Sequence, residues 1–160
     1  MAEAPVVDAS PLIYLSRARQ LDLLRILGPK VAVPAAVVAE IQAKSSDEAA
    51  RALQHYSWLM PVADSPLPAQ IVALELGAGE SSVLSWALSH PGSVAILDDF
   101  EGRRCAEAFQ IPLIGTLGIV LRAKLMGRVS SARAIVESLV SHGMYLSASI
   151  RERALALVGE

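Results

Sequence analysis

Val94-Ala95-Ile96-Leu97-Asp98-Asp99 is an unbroken apolar run stopped by two carboxylates, and a helix-compatible stretch from about Gly102 to Phe109 follows it. Four consecutive apolar residues without polar alternation suit a strand covered on both faces, as in a parallel sheet. The same order recurs near the start of the chain. Pro5-Val6-Val7 leads to Asp8, and Ser10-Pro11 then reads as a helix start, with Ser10 as cap and Pro11 at the first helical position. Two strands that each end in an acid and turn into a helix place those acids where open α/β sheets bind ligands, at the carboxyl ends of the strands.

Outward from these two anchors, strands and helices alternate. Leu12 to Leu15 begins a helix that Leu21, Leu23, Leu24 and Leu27 continue until Gly28-Pro29, and Val31-Ala32-Val33 is the next strand. Pro34 opens a helix through Val37, Val38 and Ile41, and Ser45-Ser46-Asp47-Glu48 reads as a capping box for a helix from Ala49 to His55. Trp58 to Val62 reads as a short or edge strand because it holds Pro61. A helix around Ala69 to Leu76 precedes the break at Gly77-Ala78-Gly79, with Glu80 at the start of a helix over Ser81 to Leu88. Pro112-Leu113-Ile114 is a further strand, Gly115-Thr116-Leu117-Gly118 a tight loop, and Ile119 to Met126 a helix closed by Gly127. A helical tail from about residue 129 holds segments near Ser131 to Ser141 and Ser149 to Val158. The alternation predicts one α/β domain with a mostly parallel sheet and helices on both faces.

The bulk numbers agree with one core. A chain of 160 residues, 53% hydrophobic, buries one core and does not suggest two domains. With 19% charged residues and a mean hydropathy of +0.45, packing in an oligomer is expected, a homodimer first. No apolar run reaches the length of a membrane span, and Met-Ala-Glu-Ala-Pro lacks a signal peptide's basic start, so a cytoplasmic protein without membrane contact is expected. The single cysteine, Cys105, excludes an intrachain disulfide and a thiolate metal cage. His55, His90 and His142 lack ligand spacing, which argues against zinc. A net charge of -2 argues against holding nucleic acid by bulk electrostatics.

What remains is acidic. Hard cations such as magnesium and manganese prefer carboxylate oxygens, and a pair of them can activate water and stabilise a leaving oxygen in phosphodiester cleavage. Asp8 is the first candidate, since Ser10 already accounts for the helix cap. Glu40 stands four residues before Lys44, which by itself suggests an exposed ion pair. Glu80 at a helix start is favoured by the helix dipole whatever its role. Asp98 and Asp99 repel each other, and a bound cation is the simplest remedy; the plainer alternative makes one an N-cap and leaves the other solvated.

Val6-Val7-Asp8-Ala9-Ser10-Pro11-Leu12, Val37-Val38-Ala39-Glu40-Ile41, Leu76-Gly77-Ala78-Gly79-Glu80-Ser81 and Leu97-Asp98-Asp99, in this order, resemble the PIN-domain family. Gly102-Arg103-Arg104-Cys105-Ala106 and Ile114-Gly115-Thr116-Leu117-Gly118, followed by Ala123-Lys124, are similar to a prokaryotic branch of PIN-like predicted nucleic-acid-binding proteins, related to VapC-type toxins. The resemblance runs from Val6 to about Gly143. It implies a Rossmann-like sheet and a Mg2+- or Mn2+-dependent ribonuclease site with Asp8, Glu40, Glu80 and Asp99 as catalytic acids and metal ligands, and Asp98 as a neighbouring extra ligand. Many members carry Asp at the third position and Thr or Ser where this chain has Leu97. Arg103 is a candidate to grip phosphate, while Arg104 reads as a solvated helix face. Ser10 and Thr116 are candidates to support the site by hydrogen bonding, although a cap and a loop residue are the default readings. Arg122, Lys124 and Arg128 form a modest basic cluster of the kind that usually only solvates a helix.

The expectation is therefore an endoribonuclease acting on RNA phosphodiesters, the toxin half of a type II pair with a cognate antitoxin. The alternative is a PIN-like RNA- or protein-binding module that has lost the reaction. An aspartate-nucleophile phosphatase fits poorly, because Asp8-Ala9-Ser10 lacks a second Asp two residues on.

Overall fold

Val6 and Val7, Val31 to Val33, and Ala95 and Ile96 are completely buried, so each of these strands is covered on both faces. That is the physical meaning of their unalternating apolar sequence. The computed structural model describes residues 3–44 and 47–160. Its strands are β1 (Val6–Val7), β2 (Val31–Pro34), β3 (Leu59–Val62), β4 (Ala95–Ile96) and β5 (Leu113–Ile114). They form one five-stranded sheet in the order β3-β2-β1-β4-β5, and every pairing is parallel. β3 is an edge strand, which accommodates Pro61 opposite Val33.

The chain leaves β1 toward one edge of the sheet and returns to build β4 on the other side of β1. β1 and β4 are thus the neighbours across which the winding reverses, the place where open α/β sheets leave a crevice. Val7 lies opposite Ile96, and the Asp8 amide donates to the Ile96 carbonyl at 3.0 Å. Asp8 and Asp98 consequently emerge side by side at the crevice.

The helices are α1 (Ala9–Arg17), α2 (Ala35–Ala43), α3 (Asp47–His55), the short α4 (Ala69–Val72), α5 (Ala78–Ser89), α6 (Phe100–Ala108), α7 (Thr116–Leu125), α8 (Ala132–Ser141) and α9 (Ala148–Ala156). α5 packs directly on β1, β2 and β4, and its residues from Ser81 to Ala87 are all buried. A second packed group joins α1, α7, α8 and a 3-10 helix over Leu21–Ile26. None of these helices is long and apolar enough to cross a membrane.

Several local expectations are corrected. Ser10 does not cap α1; Asp8 does, its carboxylate accepting from the Ala9 amide at 2.8 Å, and Ser10 lies within the helix. The first helix does not run on to Leu27. It stops at Arg17, and Arg19 takes a left-handed backbone (φ 57°) before the 3-10 segment. The helix expected to Leu76 ends at Val72, and the following turn holds Glu75 at φ 52°. Gly79 lies within α5 and does not break it, because α5 starts at Ala78 behind Gly77. Gly115 to Gly118 is no loop: Gly115 is the N-cap of α7, and Thr116, Leu117 and Gly118 are its first turn. The capping box read at Ser45-Ser46-Asp47-Glu48 lies outside the described residues.

Candidate metal centre in an acidic cleft

Asp8 is held at the end of β1 by its amide bond to β4 and by the cap it makes on α1. Only 3% of its surface is exposed. Burial in a site with negative neighbours raises its pKa from 3.8 to about 7, with Glu80, then Glu40 and Asp98, adding to the burial; the Ala9 amide opposes the shift. The carboxylates that act on Asp8 come from α2, from α5 and from the end of β4, so three separate connections converge on one buried acid.

Gly79 makes that convergence possible. A Cβ there would stand 2.8 Å from Glu40 Oε2 and 2.9 Å from Asp8 Oδ1. Any larger residue on this turn of α5 would push into both carboxylates. Glu40 divides its two oxygens: Oε2 faces Gly79 and Asp8, while Oε1 accepts from Lys44 Nζ at 3.0 Å. The ion pair read from the sequence is therefore real and does not remove Glu40 from the cluster. It also raises the Lys44 pKa, through the hydrogen bond to Glu40 first and the field of Glu40 next.

Glu80, in the first turn of α5, folds back toward Gly77 and shares the space over Gly102 with Asp99. Among the described residues it has no hydrogen-bond or ion-pair partner. The adjacent acids at the end of β4 take different partners. Asp98 accepts from the Thr116 amide at 2.7 Å and from the Thr116 hydroxyl at 2.6 Å, whereas Asp99 is the N-cap of α6, taking the Gly102 amide at 2.9 Å. Thr116 is wholly buried at the start of α7, so it fixes the Asp98 carboxylate rigidly. Asp98 contributes to the field on Asp8, while the exposed Asp99 lies at the rim of the same cleft.

Arg103 is half-buried and donates from Nη1 to the Leu97 carbonyl at 3.0 Å. Gly115 admits it: a Cβ at that position would lie 2.7 Å from Arg103 Nη1 and 3.0 Å from Asp98 Oδ1. One nitrogen of the guanidinium is thus anchored on the strand end, leaving Nη2 and Nε without a hydrogen-bond partner among the described residues. Arg104 is exposed and pairs with Glu101 at 3.8 Å. The basic cluster further on has a structural use, since Lys124 donates to the Ser130 carbonyl at 2.6 Å and faces Glu160 at 3.4 Å.

Ser10, Glu80, Asp98, Asp99 and Arg103 all line a cleft of about 790 Å3. Its floor is α7 and β5, and its far wall is the connection from α8 to α9, which sequence reading did not assign to the site. The donor set suits a hard divalent cation in kind, with the carboxylates of Glu80, Glu40 and Asp98 acting on the buried Asp8 and one lysine, Lys44, set against them on Glu40. It is not a preformed cage: among the described residues no three His, Cys, Asp or Glu side chains stand in metal-holding geometry. Two of the acids already have partners, since Glu40 gives one oxygen to Lys44 and Asp99 takes the Gly102 amide.

No curated protein matches the chain. A family model described as PIN domain (DUF3368) matches residues 4–160, from just before β1 to the end of α9. PIN domains are generally nucleases that use divalent metals, and acids gathered at the β1–β4 crevice are the equipment such chemistry requires. With the match spanning almost its whole length, the chain belongs to the PIN-domain family.

Proposed function

We propose that the protein is a Mg2+- or Mn2+-dependent endoribonuclease that hydrolyses RNA phosphodiester bonds in the acidic cleft. The observation that carries this reading is Asp8: a buried carboxylate with a pKa near 7 among Glu80, Glu40 and Asp98 is costly to maintain and is relieved by a cation. Asp8, Glu40, Glu80, Asp98 and Asp99 would hold the metal, which supplies Lewis acidity to the phosphate and a lowered pKa to water. The chain's own groups then divide the work. Glu80, with no described partner, is the carboxylate available to accept a proton from the attacking water. Thr116 keeps Asp98 in place through two hydrogen bonds. Arg103, anchored on Leu97, offers its remaining nitrogens to a phosphate oxygen.

A second reading is favoured by one observation, the absence of a ready-made cage among the described residues. In that reading the domain binds RNA or a protein and does not cleave. A mixed RNA pool incubated with the protein in Mn2+ and in EDTA separates the two, with Asp99→Asn and Asp98→Asn beside it. The nuclease reading expects cleavage in Mn2+, none in EDTA, and a loss of at least about tenfold in the Asn variants, the least that losing a group of a metal site costs. Cleavage insensitive to EDTA would sink it. As part of the same reading we assign the protein to the toxin side of a type II pair, acting as a homodimer in the cytoplasm. Relief of growth arrest by a neighbouring small gene, and the mass of the purified protein by light scattering, test those points.

A further inference from the structure

The chain holds two phenylalanines, two tryptophans and three tyrosines. Trp58 and Trp86 are buried, Phe109 and Tyr14 are half-buried, and Tyr56, though 41% exposed, packs edge-on against His55 with Trp58 beyond it, away from the acidic cleft. Phe100 and Tyr145 are different: they are 69% and 88% exposed, and both line the acidic cleft. Two aromatic rings left in water at the mouth of one polar cleft, in a chain this poor in aromatics, call for a binding partner.

Neither ring is exposed because its backbone is loose. Phe100 is the first residue of α6, directly after the cap Asp99, so its position follows from that of the acid. Tyr145 lies on the α8–α9 connection between the buried Met144 and the half-buried Leu146, and the Met144 amide is bonded to the Leu139 carbonyl at 3.0 Å. The Arg104 guanidinium stands 5.8 Å from the centre of the Phe100 ring, a cation over an aromatic face. Exposed aromatic faces with interleaved arginines are what single-stranded nucleic acid uses, because every base offers a flat π surface beside an anionic phosphate. Aromatics and arginines also serve protein interfaces, but here they share a cleft with the acids of the candidate metal centre, where a phosphodiester and its bases would lie.

We infer that Phe100 and Tyr145 form a base-stacking rim that positions the nucleotides flanking the scissile phosphate, with Arg103 on the phosphate itself. This rests on the ribonuclease reading of the cleft. It adds which residues set the substrate's register: unpaired, unstacked nucleotides are required next to the cut, whatever their sequence.

The test uses short single-stranded RNAs, each with one 2-aminopurine at a successive position, titrated with the full chain in Ca2+. At one or two adjacent positions the fluorescence should be quenched on binding. Phe100→Leu and Tyr145→Leu should abolish the quench and weaken binding about fivefold to a hundredfold, the range of one lost base stack. Phe100→Tyr and Tyr145→Phe should restore both. Both Leu variants alter exposed side chains, so their melting temperatures should match the parent's. Bound RNA with no quenched position, or Leu variants that bind and quench like the parent, overturns the inference. Cleavage of the RNA pool in Mn2+ is read separately. If the parent cleaves but the rings prove irrelevant, only the stacking rim falls, and if it neither binds nor cleaves RNA, the ribonuclease reading falls with it.

Discussion

Replacing Asp8 by Asn should make the metal-free protein more stable at alkaline pH, the opposite of what changing a buried polar residue usually does. The Asp8 carboxyl ionises near pH 3.8 in an unfolded chain and near 7 in the folded one. Below about pH 3.8 both states hold the proton and the residue costs nothing. Between 3.8 and 7 the unfolded chain loses it while the folded protein keeps it, so stability falls as pH rises, and above 7 the full penalty is present. A shift of about three units at about 1.36 kcal/mol each sets the penalty at roughly 4 kcal/mol. This is an upper bound, because water entering the cleft screens the cluster. Asn keeps the oxygen that accepts the Ala9 amide, so the α1 cap survives. Urea unfolding in EDTA at pH 4 and pH 8 is the assay. Parent and variant should be nearly equal at pH 4, and the variant should lead at pH 8 by up to that amount. With Mn2+ the order should reverse, since only the parent gains a ligand. A parent as stable as the variant at pH 8 in EDTA, or a difference between them that does not change with pH, would refute the argument that Asp8 is a buried acid under electrostatic pressure.

Gly79→Ala should fold, because Ala favours a helix by up to about 1 kcal/mol, yet its Cβ displaces Asp8 and Glu40; Mn2+ affinity by calorimetry should drop at least about tenfold. Thr116→Val removes a buried hydroxyl bonded to Asp98 at 2.6 Å and should cost about 1.5–3 kcal/mol in urea unfolding, with a loss of RNA cleavage beyond what the lower stability explains. An unchanged stability would mean that Asp98 finds another donor. Gln110→Gly relieves a left-handed backbone at an exposed helix end and should raise stability by about 0.5–1 kcal/mol; a loss would show that the Gln side chain matters.

The features that were hard to read from the sequence share physical causes. Arg19, Glu75 and Gln110 all adopt the left-handed conformation at or just past helix ends, where a glycine is the usual signal. With no glycine to mark them, the apolar pattern alone carries the first helix across Arg19 and the helix before Gly77 past Val72. Gly79 and Gly115 mislead the other way, since Gly79 lies inside α5 and Gly115 opens a helix where a loop is expected. They are small so that Asp8, Glu40, Asp98 and Arg103 have room. The role of Asp8 as a cap was also hidden, because Ser10 is just as good a cap in isolation.

The apolar runs at β1, β2 and β4, each giving way to a helix, determined by themselves that this chain builds a parallel sheet covered on both faces: residues without polar alternation have no face to turn to water. They also determined that Asp8 and the Asp98-Asp99 pair stand at strand ends. Only the tertiary structure decided how those acids relate. β4 returns to pair with β1 and not with β3, which carries Asp98 across the sheet to Asp8. α5 then descends close enough, over Gly79, to bury the pair's neighbour among carboxylates. Local sequence sets strand, helix and cap through short-range sterics and hydrogen bonds. The burial that pushes Asp8 to about 7, and the field from α2, α5 and the end of β4 that adds to it, exist only once these elements are packed together.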